Sequence, residues 1–333
     1  MAATAGPGAL LLGVDGGGTH TRAVVALPGG QVLGHAEAGA SNQATTGADG
    51  ARRAIGLACA DALAAAGARP SDVAGACLGL AGLDHPSDEA VFREVADALG
   101  LPVRPVLCND SVIAWAGATG GAPGIAVIAG TGSVAYGRTG AGAGRRCGGW
   151  GGVLGDEGSA YRIAAQAVGR VLRGLDGRAA PSGLGPALAR AAGLGEPGDL
   201  CLLARADRTV RAGLPVEAVL GALAPVVTTA ALRGDPDACA IVADAGRDLA
   251  DLAVAIAGAL GMAEPAVHGL GSVLLSGGAV AAAMDAELRR RLGVRLLQPR
   301  HPALVGALIL GHEAALGAVP EPDVASAWSA AVA

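Results

Sequence analysis

The chain has no lysine: all 24 basic residues among its 333 are arginines. A Walker-type loop sets a lysine against the terminal phosphates, protein kinases use a strand lysine, and Schiff-base enzymes need a primary amine, so these mechanisms are excluded. A nucleotide held by this chain must therefore be held by backbone amides and a metal. Aromatic residues are nearly missing too, with three Trp, two Tyr and one Phe. The core must then be built from Val, Leu, Ile and Ala at close backbone approach. The cysteines, at 59, 77, 108, 147, 201 and 239, show no Cys-x-x-Cys spacing. Neither a zinc knuckle nor a disulfide framework is indicated, and reduced thiols in a cytoplasmic protein are the expectation. A basic surplus is lacking as well. The formal net charge is -5, which argues against nucleic-acid or anionic-membrane partners. No long unbroken apolar run occurs: the uncharged stretches 111–137 and 265–284 are interrupted by Gly or Pro at short intervals. The segment Met1 to Val14 carries no basic n-region, so a secretory signal is not expected.

What is present is length and apolar content. At 333 residues and 52% hydrophobic, the chain is long enough for two domains with separate cores, which implies a cleft between them. The pattern predicts strands over 9–14, 21–27 and 31–38, joined by short turns and hence antiparallel. A helix over 47–66, a buried strand over 73–80, a helix over 87–99 and a strand over 103–107 follow. A similar order restarts with apolar strands over 125–129 and 133–137, which suggests a duplication. Helices are predicted over 158–173, 184–192, 216–232 and 235–260, then a strand over 272–276 and a helix over 279–291. The expected domains are 1–117, 118–317 and a C-terminal tail or helix of 318–333, with a hinge near 116–121.

Six segments carry candidate chemistry. Asp15-Gly16-Gly17-Gly18-Thr19 lies between two strands, unlike a dinucleotide fingerprint, whose glycines open a helix. Its amides can converge on phosphate oxygens, and Asp15 at the strand end could hold a hydrated Mg²⁺; the alternative is an unliganded hairpin. Gly130-Thr131-Gly132-Ser133 is a second turn of the same kind. Gly277-Gly278, between the predicted strand and helix, suits either a nucleoside or a tightly packed helix start. Asn109-Asp110-Ser111 follows a strand, and Asp110 there is either a general base for an attacking hydroxyl or a helix cap. In Cys147 to Ser159, Trp150 stands in a glycine run and Asp156-Glu157 precedes a helix. This is either a sugar platform, or a core Trp with an N-cap Asp. Ser41-Asn42-Gln43 offers an amide at the same end of the sheet, or only a turn.

At these residues the chain resembles the N-acetylglucosamine kinases of the BadF/BadG/BcrA/BcrD ATPase family, within the sugar kinase, Hsp70 and actin superfamily. The similarity runs from Gly13 to about Gly311, and Gly148 to Tyr161, reading Gly-Gly-Trp-Gly-x-x-x-Gly-Asp-Glu-Gly-Ser-Ala-Tyr, is its most specific part. The resemblance implies an α/β fold of two RNase H-like, actin-like ATPase domains closing on an interdomain cleft. It implies ATP and Mg²⁺ as cofactors, a homodimer, and phosphorylation of the 6-hydroxyl of N-acetylglucosamine. Under it, Gly16, Gly17, Gly18 and Thr19 form the first phosphate motif and Gly130, Thr131, Gly132 and Ser133 the second. Gly277 and Gly278 close the adenosine motif, Asp15 serves the metal, and Asp110 is the base. Asn42, Asp110, Gly149, Trp150, Gly151 and Asp156 are implied sugar contacts. Some relatives have Glu at the position of Asp15, and His20 falls where the family varies. The Trp motif is more like the acetylated-sugar members than the glucosamine members. Glucosamine or N-acetylmuramic acid remain alternative acceptors. A dehydratase-activating ATPase would share an iron-sulfur cluster through closely placed cysteines, and no suitable pair is evident in the sequence. A sugar-responsive repressor would need a helix-turn-helix before the first strand, where there is no room.

Overall fold

A computed structural model describes residues 9–204, 214–275 and 278–332. The chain divides into two compact units, Met1–Pro123 with Pro299–Ala333, and Gly124–Gln298.

In the first unit the order is β1 (Leu10–Gly16), β2 (Thr21–Ala26), β3 (Val32–Ala38), α1 (Gln43–Ala65), β4 (Val73–Leu80), α2 (Pro86–Asp97), β5 (Val106–Asn109) and α3 (Asp110–Thr119). The second unit contains β6 (Gly124–Ala129), β7 (Ser133–Arg138), β8 (Gly144–Gly148), α4 (Gly151–Leu154), α5 (Ala160–Leu175), α6 (Gly185–Ala192), α7 (Val216–Gly221), α8 (Ala224–Leu232) and α9 (Pro236–Leu260). It continues through β9 (Val267–Leu270), α10 (Ser272–Leu275), α11 (Ala279–Leu292) and β10 (Leu296–Leu297). The chain then returns to the first unit as α12 (Ala303–Leu316) and α13 (Pro322–Val332).

The two sheets have the same topology. The first runs β3-β2-β1-β4-β5 and the second β8-β7-β6-β9-β10. In each, three strands form an antiparallel meander and two further strands add in parallel beside its first strand. The short apolar runs and two-to-four-residue turns at 17–20 and 130–132 enforce the meanders, because such connections cannot carry a crossover. The parallel additions each follow a helical crossover. This repeat matches the duplication expected from the sequence, including the equivalence of β1 with β6.

Three departures from the sequence reading have local causes. The predicted strand at 272–276 is instead helix α10, and the buried strand lies five residues earlier as β9; a short apolar run is ambiguous between the two states, and Gly271 breaks the chain between them. The helix predicted over 216–232 is two helices, α7 and α8, because Pro225 occupies the first turn of a new one. Residues 299–332 pack in the first unit rather than in a second domain reaching 317 or a tail beyond it. Leu304, Val305, Leu308 and Ile309 of α12 and Trp328 of α13 join Leu11, Val24 and Ala26 in one buried cluster. The Trp328 indole donates to the Leu27 carbonyl at 3.2 Å. The opposite face of that sheet buries Ile55, Ala58 and Cys59 of α1 with Phe92 and Val95 of α2. Burial in this apolar layer pushes the Cys59 thiol up to about 12, so it is an inert core residue.

Helices α3 and α12 approach closely enough that a Cβ on Gly306 would collide with the Ile113 carbonyl oxygen, which is backbone and cannot move aside. Gly306→Ala is accordingly expected to destabilise the first unit by about 1–3 kcal/mol, the range for overpacking. A denaturant melt that leaves the midpoint unchanged would show that the two helices separate without strain.

Candidate active site

The parallel ladder sets the first unit's candidate residues in register. Asp15 pairs with Gly79, and Gly79 in turn with Cys108; one step on, Gly16, Leu80 and Asn109 form the next row. Asp15, the glycine turn and Asp110 therefore emerge along one edge of the sheet. The turn is closed by its own backbone. The Gly17 amide donates to the His20 carbonyl at 2.8 Å, the Ser41 amide to Gly17 at 3.0 Å, and the Ala81 amide to Gly16 at 2.7 Å. Gly18 and Thr19 are exposed, and their amides have no partner among the described residues. Asp15 is only 15% exposed and receives the Arg22 guanidinium at 2.9 Å. Burial raises its carboxyl above the ordinary value, and the Arg22 charge and hydrogen bond act in the opposite direction. His20 pairs with Glu37 at 2.9 Å on the surface.

The helix-cap alternative for Asp110 is answered by its neighbour. Asn109 is the N-cap of α3, its Oδ1 accepting from the Ser111 amide at 3.0 Å and from the Ser111 hydroxyl at 2.5 Å. Its Nδ2 donates to Asp84 Oδ1 at 3.0 Å and to the Leu83 carbonyl at 3.4 Å. Asp110 is thus the first helical residue, at the positive end of α3, and is not the cap. The role of Asp84 in anchoring Asn109 had no signal in the sequence. Asn42 does prove to be a cap: its Oδ1 accepts from the Ala44 amide at 2.9 Å and starts a short first turn of α1, which breaks at Gly47 (φ 70°) where the expected helix begins.

In the second unit, the turn 130–132 lies over the N-terminus of α5. The Ala160 amide donates to the Gly130 carbonyl at 2.9 Å and the Tyr161 amide to the Thr131 carbonyl at 3.3 Å. These carbonyls satisfy the first-turn donors of the helix. The amides of Thr131 and Gly132 have no partner among the described residues. Ser133 locks the turn from below, its hydroxyl donating to the Glu157 carbonyl at 2.7 Å and its amide to Asp156 Oδ1 at 3.2 Å. The N-cap of α5 is Ser159, so the N-cap reading of Asp156 does not hold. Asp156 is 9% exposed, adopts φ 60°, and has its carboxylate against Gly132. Its contacts are to the turn, where the resemblance had placed it against a sugar.

The core reading of Trp150 fails outright. Trp150 is 74% exposed, and Val153 and Leu154 beside it are 83% and 79% exposed. Positive φ at Gly148, Gly149 and Gly151 turns the chain outward here. Gly149 is engaged at both ends, its amide to the Ser133 carbonyl at 2.9 Å and its carbonyl to the Arg146 guanidinium at 2.8 Å.

A cavity of about 430 Å³ adjoins the second turn, lined among others by Thr131, Ile163, Gly221, Pro225, Thr228 and Ser272. Its walls are mainly small or apolar, suited to a flat base or ribose. The sequence reading sets the adenosine motif at Gly277-Gly278. Gly277 lies outside the described residues, and Gly278 serves as the N-cap of α11. The strand end nearest the second turn is instead that of β9. There Gly271, at φ 84°, passes so close to Ala129 that a Cβ would strike its backbone. Gly269-Leu270-Gly271-Ser272 was the available signal, a glycine directly after an apolar run.

The Asp156 carboxyl is raised by burial first; the Ser133 amide lowers it, and Glu157 and Glu217 add to the rise. A raised folded-state value means the folded chain binds this proton more tightly than the unfolded one. The associated stability is present below the unfolded value and is lost as pH rises through the folded value. Asp156→Asn keeps an acceptor for Ser133 and tolerates positive φ. That variant should melt at or above wild type at neutral pH and lose this pH dependence, whereas Asp156→Ala should cost about 1–3 kcal/mol. An Asn variant that melts well below wild type at neutral pH would mean that the charge itself supports the turn.

Comparison with known proteins is consistent with this geometry. The model of the BadF/BadG/BcrA/BcrD ATPase family matches residues 12–311. An N-acetylmuramic acid/N-acetylglucosamine kinase of Clostridium acetobutylicum is 33% identical over 168 residues, covering 50% of this chain and 55% of that protein. An N-acetyl-D-glucosamine kinase of Dictyostelium discoideum is 32% identical over 176 residues, with the same coverage of 50% and 55%. The alignments thus span about half the length of these curated relatives. A solved structure from Chromobacterium violaceum, provisionally named an N-acetylglucosamine kinase, is 32% identical with a TM-score of 0.69, over 91% of this chain and 99% of the other. A ROK-family glucokinase from Streptomyces griseus, 21% identical with a TM-score of 0.54 over 91% and 99%, shares the fold. With its family model spanning both units and both glycine turns, the chain belongs to the BadF/BadG/BcrA/BcrD ATPase family.

Proposed function

We propose that the chain is an ATP-dependent kinase that transfers a phosphoryl group to the 6-hydroxyl of N-acetylglucosamine, giving the 6-phosphate and ADP. The observation that carries this reading is Asp110: a carboxylate at the sheet edge bearing the first glycine turn, with capping already supplied by Asn109. The names of the relatives support the substrate class.

In this mechanism Asp110 accepts the proton of the attacking hydroxyl. In the first unit the amides of Gly18 and Thr19, and in the second unit those of Thr131 and Gly132, are the donors each turn offers to phosphate oxygens, the work that lysine does elsewhere. The nucleoside occupies the cavity beside Thr131. On the sugar side, Asn42 offers the Nδ2 that its cap does not use. Trp150 offers an exposed aromatic face, with Gly151 beside it. Asp156 acts on the second turn through Ser133.

Asp15 fits a magnesium ion held largely through water. One Oδ is engaged by Arg22, burial disfavours its charge without a cation, and no cluster of three or more His, Cys, Asp or Glu ligands exists among the described residues. When bound, Mg²⁺ neutralises charge on the polyphosphate. No single helix among the described residues is long and apolar enough to cross a membrane. In our reading the enzyme works in the cytoplasm as a homodimer, in line with the family resemblance and the absence of any disulfide among the described cysteines.

Asp110→Asn is expected to lower turnover by a factor on the order of 10²–10⁴, the range for losing a general base, while keeping nucleotide affinity and the melting midpoint. Coupled ADP release across N-acetylglucosamine, glucosamine and N-acetylmuramic acid should give the highest kcat/KM for the first. A variant with near wild-type rate would remove Asp110 from the chemistry, and a chain that releases ADP with no hexosamine would end the proposal.

A further inference from the structure

Helix α8 has two lined faces. Thr228 borders the cavity beside Thr131, Val226, Thr229, Ala230 and Arg233 border a second surface cavity of about 710 Å³, and Pro225 lines both. Its lining also includes Ala187 and Arg190 from α6. Among the described residues neither the Arg190 nor the Arg233 side chain has an ion pair or hydrogen bond. Other described arginines of this unit are paired, as in Arg170 with Asp237 at 3.0 Å and Arg289 with Asp285 at 2.7 Å. The one carboxylate in the cavity, Asp235, is the N-cap of α9, its Oδ1 accepting from the Ala238 amide at 2.9 Å. Its charge is therefore directed at a 25-residue helix.

Placement at helix C-termini accounts for each arginine singly, since Arg190 lies in the last turn of α6 and Arg233 is the C-cap of α8. It does not account for their sharing one cavity with a hydroxyl and an apolar floor. Two guanidiniums at one hollow repel each other unless an anion lies between them. Guanidinium forks match phosphate oxygens bidentately, and Thr229 adds a donor one turn before Arg233.

We infer that this cavity binds a phosphate group, free or as the monoester of a small molecule, with Arg190 and Arg233 as the anchoring residues. Ala187, Val226 and Ala230 form the surface against which the body of a monoester rests. The site lies outside the machinery assigned to turnover and does not depend on that assignment.

Isothermal titration of the full chain at low ionic strength, with inorganic phosphate and with N-acetylglucosamine 6-phosphate as separate probes, tests the inference. Wild type should show a binding event that Arg190→Gln/Arg233→Gln weakens at least tenfold, with ATP-dependent turnover unchanged. Arg190→Lys/Arg233→Lys, which keeps the charge but not the fork, should show a smaller loss. Tighter binding of the sugar phosphate than of inorganic phosphate identifies a monoester site, and equal binding a free-phosphate site. Identical titrations of wild type and both double variants with both probes would overturn the inference.

Discussion

The parallel ladder β1-β4-β5 is the constraint on which the first unit's chemistry depends. Because its rows are fixed by backbone hydrogen bonds, the ends of three strands far apart in sequence stop at one edge, bringing Asp15, the 17–20 turn and Asp110 to the same margin. A one-residue slip would turn the side chains to the opposite faces. Burial of Leu12, Val14 and Leu78 on one face and of Leu11 on the other prevents such a slip.

The same architecture recurs around β6, but the supporting contacts differ. The first turn is held mainly by backbone groups, from His20, Ser41 and Ala81, with the Thr21 hydroxyl donating to the Gly39 carbonyl just after it. The second depends on side chains: Ser133 reaches Asp156 and the Glu157 carbonyl, and the carbonyls of Gly130 and Thr131 begin α5. A buried carboxylate in left-handed backbone is a strained arrangement, retained here where the turn amides must point outward. Small residues make this possible elsewhere too. Gly271 lets β9 end against Ala129, and Gly306 lets α12 lie on α3, in a chain with too few aromatics to fill wider gaps.

Much of the fold was legible because its signals are local. Short apolar runs joined by glycine turns specify antiparallel meanders, and their recurrence revealed the duplication. The candidate site residues stood out for the same reason: Asp15 with the first turn, the second turn and the Trp150 motif are each short contiguous segments. Reading failed where state depends on distant contacts. Ser272 to Leu275 is apolar enough for either a strand or a helix, and only the pairing of β9 with β6 decided it. The membership of α12 and α13 in the first unit was equally invisible, since an apolar helix does not state which sheet it will cover.

The amino-acid sequence by itself determined which chemistry is closed to this protein: with no lysine, a Walker-type phosphate loop, a strand lysine of the protein-kinase kind and a Schiff base are all excluded. Tertiary structure alone decided the setting of each carboxylate. Asp110 and Asp156 both precede or begin helices and read alike in one dimension. Asn109 takes the cap beside the first, while Ser159 takes the cap near the second and Ser133 draws its carboxylate inward. The difference lies in which donors surround each carboxylate, and those donors come from segments that meet only when the sheets form.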